Sequence, residues 1–158
     1  MGRSDDVMGI RERFADIGEP DDESAEGILS DLMEAATLIA DDATVQIIEP
    51  RLTPFSSVIA FSQFRSMHRL LGDATELLNR PDEALVDFRK ALETCTMMQH
   101  LPELAITHLG LAELLLYSYP DQHAEGIVHL GYAIAKFNDM GMTPSLEHAL
   151  GRKQMLGA

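Results

Sequence analysis

The stretch Leu70 to Leu92, "LLGDATELLNRPDEALVDFRKAL", decides the fold. It sets the small residues Gly72, Ala74, Ala84 and Ala91 among leucines at helical intervals, with Asn79, Arg80, Pro81 and Asp82 interrupting them. Apolar residues recurring at steps of three and four mark a helix, and a proline lacks the N–H that a helix interior requires. The stretch therefore reads as two antiparallel helices joined by a short turn.

A second stretch, Leu109 to Ile134, "LGLAELLLYSYPDQHAEGIVHLGYAI", repeats the design. In the first helices Leu71, Gly72, Ala74 and Leu78 match Leu109, Gly110, Ala112 and Leu116, an offset of 38 residues. In the second helices Ala84, Phe88, Ala91 and Leu92 match Gly126, Leu130, Ala133 and Ile134, an offset of 42. The four extra residues fall in the turn "YSYPDQH", where added length is tolerated. Helices whose backbones approach closely need small residues at the contact and bulky ones filling the grooves beside it. Ala84 and Gly126 are thus expected to face the preceding helix, with Phe88 and Leu130 plugging the space between successive hairpins. A period near 40 residues signals a helical solenoid, in which each hairpin covers its neighbour.

The rest of the chain carries the same period, and no strand is expected. Val7, Ile10, Phe14 and Ile17 line one face of a short N-terminal helix capped by Ser4 and stopped by Gly18 and Pro20. These four residues are expected to form an N-terminal cap or a dimer contact. The acidic cluster Glu19, Asp21, Asp22, Glu23 and Glu26 suits the start of a second helix, whose apolar face is Ile28, Leu29, Leu32, Ala35, Ala36 and Ile39. Asp41 and Asp42 end that helix, and Pro50 and Pro54 limit the next segment to a short turn over 44–49. Thr53 and Pro54 then read as the start of a long helix reaching Leu78. Further helices are expected over 83–99, 103–116 and 125–140, with Gly141 as a stop and Thr143 with Pro144 opening a last helix that ends near Leu156. The expected fold class is all-α, stacked antiparallel hairpins of about six or seven helices in one domain. Its units are an N-terminal helix (1–20), a divergent first unit (21–63), two repeats (64–100 and 101–142) and a capping helix (143–158).

A net charge of -14 over 158 residues repels phosphate, which disfavours nucleic acid and anionic membrane and favours basic or neutral partners. No apolar run is long enough for a membrane span and no secretion signal opens the chain, so a cytoplasmic location is expected. Cys95, the single cysteine, has no neighbouring base and reads as a small buried hydrophobe. The chain holds no Gly-rich phosphate loop, nucleophile elbow, His-Glu-x-x-His helix or calcium loop. His100 and His108 lie eight apart, and His123 and His129 six apart; neither spacing stacks two imidazoles on adjacent turns for a metal. Neither metal nor cofactor is expected. Met97, Met98, Met140 and Met142 fall at helix ends and are expected to cap the core between helices.

The order Leu71, Gly72, Ala74, then Ala84, Phe88 and Ala91 resembles the tetratricopeptide repeat, whose helix pairs carry Leu-Gly, an Ala twelve residues on, then an aromatic and an Ala. His68 stands where that repeat has a large aromatic, Thr75 where it has Tyr, and no Pro follows Ala91 at the usual distance. The long repeat, with "LPELAITHLGLAELLL" and "FNDMGMTPSLEHAL", is similar to the C-terminal helical repeats of bacterial LuxR-type or cyclase-associated signalling ATPases. In such arrays the first helices line a concave groove. The resemblance therefore implies that Ser66, Arg69, Asp73 and Glu76 face it from one repeat and Leu104, Thr107, Leu111 and Leu114 from the next. The second set is largely apolar, suited to an amphipathic or extended peptide or to being covered by the final helix. The function implied is that of a non-enzymatic module of signalling or transcription regulation that binds a protein or peptide partner. A homodimer through the N-terminal helix or an exposed array end is a further expectation. The alternative is a regulatory domain that senses a small molecule held between hairpins.

Overall fold

A computed structural model describes Ile17 and residues 22–57, 61–62 and 64–155. The described residues form α1 (Glu26–Leu38), α2 (Asp42–Leu52), α3 (Met67–Leu77), α4 (Pro81–Met97), α5 (Leu101–Ser118), α6 (His123–Met140) and α7 (Thr143–Met155). Each helix packs mainly on its neighbours in sequence, with α1 also touching α3 and α3 touching α5. The result is a row of hairpins, α1/α2, α3/α4 and α5/α6, closed by α7. Its core is three clusters in series. Leu29, Met33, Ile48, Leu52 and Leu70 join α1, α2 and α3; Ala84, Phe88, Leu111 and Leu115 join α4 to α5; Leu109, Leu130, Phe137 and Ala149 join α5, α6 and α7.

The small residues are buried, and Ala84 sits in the cluster with Leu111 and Leu115 of the following helix, α5. Ala84, Ala91 and Phe88 are all 0% exposed. A Cβ added to Gly126 would lie 2.9 Å from Leu116 Cγ, so α6 approaches α5 as closely as only glycine permits. Cys95 is likewise buried, and burial pushes its thiol up, away from reactivity.

A second repeat lies in the turns. Ala40, Asn79, Gln99 and Gly141 all take the left-handed conformation (φ 55°, 58°, 54° and 68°). At each, the next residue's N–H donates back to the last helical turn: Asp41 to Ala36 O at 2.9 Å, Arg80 to Thr75 O at 2.8 Å, His100 to Cys95 O at 3.1 Å, Met142 to Phe137 O at 2.9 Å. These are Schellman closures, which satisfy carbonyls that a helix end would leave free. Asn tolerates this conformation and Gly adopts it freely, but Ala40 is strained by about 1 kcal/mol. Ala40 is exposed, so Ala40→Gly should raise the melting midpoint by about 2–4 °C; a fall would show that the turn is not left-handed in solution.

Several expectations need correction. The long helix from Thr53 to Leu78 is not formed. In its place stand a 3-10 turn (Thr53–Ser57), a two-residue antiparallel pair β1 (Phe61–Ser62) and β2 (Arg65–Ser66), and only then α3. Phe64 turns the chain at φ 74°, and Ser66 caps α3 by accepting from Arg69 N. A serine competing for backbone donors favours a helix start over a helix interior. Strand, though only two residues on each side, therefore occurs where none was expected. Conversely, α2 runs through Pro50 to Leu52. The missing N–H falls in the last turn, and Asp41 caps the other end, accepting from Thr44 N at 3.1 Å. Of the acidic cluster, Glu26 lies in the first turn of α1, while Asp22 accepts from Ser24 N and pairs with Arg51 of α2. Met140 and Met142 pack on the last core cluster, whereas Met97 and Met98 are 76% and 64% exposed and cap nothing. Ile17 packs against the first cluster, while Val7, Ile10 and Phe14 lie outside the described residues.

Candidate functional site

The first helices of successive hairpins share one face, tied together by charge. Arg69 on α3 is its centre and is 3% exposed. Its Nε donates to Glu103 Oε1 of α5 at 2.6 Å, one terminal nitrogen to Glu34 Oε1 of α1 at 3.0 Å, and the other to Asp73 one turn along α3. Glu103 Oε1 also accepts from Ser66 N at 2.8 Å. Burial alone would lower the pKa of Arg69, but Asp73, Glu103 and Glu34 outweigh it and raise it. Arg65 adds pairs with Asp31, at 2.7 Å, and Glu34. At the far end Arg152 of α7 reaches Glu113 of α5.

Carboxylates exceed cations on this face: Asp31, Glu34, Asp73, Glu76, Glu103 and Glu113 stand against Arg65, Arg69 and Arg152. The consequence falls on Asp73 and Glu76, both half-buried. Burial raises Asp73 to about 6 despite the opposing Arg69. Burial first, then the nearby charges of Asp73 and Glu113, pushes Glu76 up to about 8, with Arg152 opposing. The folded chain thus keeps the Glu76 proton across a window, from about 4.5 to about 8, in which the unfolded chain has lost it. Stability contributed by this group therefore falls as pH rises through that window. Glu76→Gln should match the parent near pH 4 and exceed it by about 1–2 kcal/mol at pH 8 to 9, after allowance for screening. Urea midpoints at the two pH values test this, and equal midpoints at both would show that Glu76 ionises normally.

Of the eight residues expected to line a groove, Ser66, Arg69, Leu104, Thr107, Leu111 and Leu114 are buried, each 7% exposed or less. They do not face an open groove. Leu111 and Leu114 join Phe88 in the core between α4 and α5, and Thr107 donates to Glu103 O at 2.8 Å beneath the surface. The reason is close stacking: the leucines of α5 are buried against α4, the second helix of the preceding hairpin, and only polar positions along the seam stay wet. Asp73 and Glu76 are the two that remain accessible. Glu34, Glu103, Glu113 and Arg152 join the face without being marked by the repeat motif. One of them carries a signal: Glu34 precedes Asp73 by 39 residues, the same interval that separates Ala40 from Asn79.

Among the described residues no group of three or more His, Cys, Asp or Glu is placed to hold a metal, and no helix is long and apolar enough to cross a membrane. No family model, curated protein or solved structure matches the chain.

Proposed function

We propose that the protein is a non-enzymatic, tetratricopeptide-like interaction module of bacterial signalling or transcription regulation, acting in the cytoplasm, and that its first-helix face holds a Lys- or Arg-bearing segment of a protein partner. The observation that supports this is the excess of carboxylates on that face, with Glu76 and Asp73 held partly protonated by burial and by the neighbouring carboxylates. A guanidinium or ammonium docked beside them favours the ionised forms and makes charge-assisted hydrogen bonds with both. Binding then expels a proton, so affinity rises between pH 6 and pH 8, the interval in which the free face still holds that proton.

The test uses a labelled hexa-arginine peptide as probe. Binding at low salt should weaken about tenfold in Glu76→Gln combined with Glu113→Gln, and lose most of its rise with pH in Glu76→Gln alone. Neutralising the exposed acids Glu93 and Asp139, on α4 and α6, should leave binding unchanged. Equal weakening by both sets would reduce the effect to net charge and reject the face as a site.

One feature favours the small-molecule alternative. A hollow of about 390 Å³ lies between the first and second hairpins, lined by Glu49, Leu71, Thr75, Asp82, Val86 and Asp87 among others. That volume falls in the range of small-ligand sites, and its four acids, Glu49, Asp82, Glu83 and Asp87, outnumber its one cation, Lys90. Val86→Trp should fill it and abolish any stabilisation by small amines without affecting the peptide.

A further inference from the structure

The contact between α5 and α6 carries an imidazole pair that the first-helix face does not use. His108 Nδ1 and His129 Nδ1 lie 2.6 Å apart, their rings 4.8 Å between centroids and inclined by 41°. The His108 ring stacks on Tyr132 at 3.9 Å, which fixes its plane. Glu125 Oε1 stands 3.6 Å from His129 Nε2, on the side away from His108. The residues are 21 apart in sequence and meet only because the hairpin folds.

We propose that His108 and His129 form a site for a divalent transition metal of the zinc class, bound through the two Nδ1 atoms and stapling α5 to α6. Two lone pairs converge on one point between rigid helices. As the rings stand, the two Nδ1 atoms are at hydrogen-bond distance, so one carries a proton that a metal would displace. A metal needs about 2.0–2.1 Å to each imidazole nitrogen, hence a separation of about 3.3 Å at a tetrahedral centre, reached by a small rotation of both rings. Glu125, its Oε1 3.6 Å from His129 Nε2, stands where a carboxylate commonly lies behind a ligating imidazole, and its charge favours the tautomer that carries its proton on Nε2 and leaves Nδ1 as the donor atom. Nitrogen ligands select zinc, nickel or copper over magnesium or calcium. Both rings are half-buried on the α5–α6 contact, which holds them in place for a ligand between them. Water completes the coordination, which makes the site one of modest affinity.

Zinc chloride is the probe. At saturating micromolar zinc the melting midpoint of the full chain should rise by about 5 °C and return with chelator. His108→Gln and His129→Gln should each weaken zinc binding at least tenfold in calorimetry, while His123→Gln should not. Magnesium at the same concentration should shift nothing. Should a variant fail to fold, the parent still decides: nitrogen-15 spectra should show zinc moving the Nδ1 resonances of two of the six histidines only. No midpoint shift, a shift retained in both variants, a matching response to magnesium, or perturbation spread over other histidines would each overturn the site.

Discussion

Phe88→Ala is expected to cost about 3–5 kcal/mol, a large share of the stability of a domain of this size. The ring is fully buried and belongs to the cluster joining α4 to α5. It is also held between two glycines on different hairpins. A Cβ at Gly72 of α3 would lie 3.0 Å from Phe88 Cδ1, and one at Gly110 of α5 would lie 2.7 Å from Cε1 and 2.9 Å from Cζ. The two glycines therefore leave the space that the ring fills, and the ring explains why they are glycines. Gly110→Ala alone should cost about 1–3 kcal/mol, because ring and methyl cannot share that space. In the Phe88→Ala background the same methyl enters a void, so the penalty should vanish or reverse. A coupling of at least 1 kcal/mol between the two sites, read from urea denaturation, is the expected result. Strict additivity would mean that the ring is not seated against α5.

This triad also shows how far sequence carries. The small-residue register of Ala84, Ala91, Gly126 and Ala133 is legible because close helix packing admits few side chains, and repetition exposes the rule twice. Gly141 is legible as a stop because glycine is the residue that adopts its conformation without strain. Ala40 and Gln99 are not, since neither advertises a left-handed turn; there the tertiary packing of the hairpin imposes the backbone on an unwilling residue. The segment from Thr53 to Ser66 misleads for a related reason. Its proline and apolar residues fit a helix start as well as a loop, and only the pairing of β2 with β1 settles Ser66 as a cap. The face of the first helices is half legible. Arg69 and Asp73 show themselves as a pair one turn apart, but their partners Glu34 and Glu103 lie 35 and 34 residues from Arg69 and come together only through stacking. The same holds for His108 and His129, which spacing along one helix could not join.

Arg69→Met should cost about 3–5 kcal/mol at pH 7, comparable to the loss of Phe88 though nothing apolar is removed. Methionine preserves most of the volume and the straight stem, so the cost is electrostatic. Glu103, with only 4% of its side chain exposed, would lose its guanidinium while still accepting from Ser66 N; Asp73 would be left uncompensated beside it, and Glu34 would keep only Arg65. Carboxyls left in that state take up protons more readily when folded than when unfolded, so the variant's deficit should shrink as pH falls from 7 towards 4. Adding Glu103→Gln should recover about half of the loss, because a neutral amide keeps the bond to Ser66 N without a buried charge. Arg69→Lys separates charge from shape: one ammonium cannot reach three carboxylates on three fronts as a planar fork does, so it should fall between parent and Met. If Arg69→Met instead loses the same stability at pH 5 as at pH 7, and Glu103→Gln brings no recovery, then Arg69 does not act as the shared counter-ion of α1, α3 and α5.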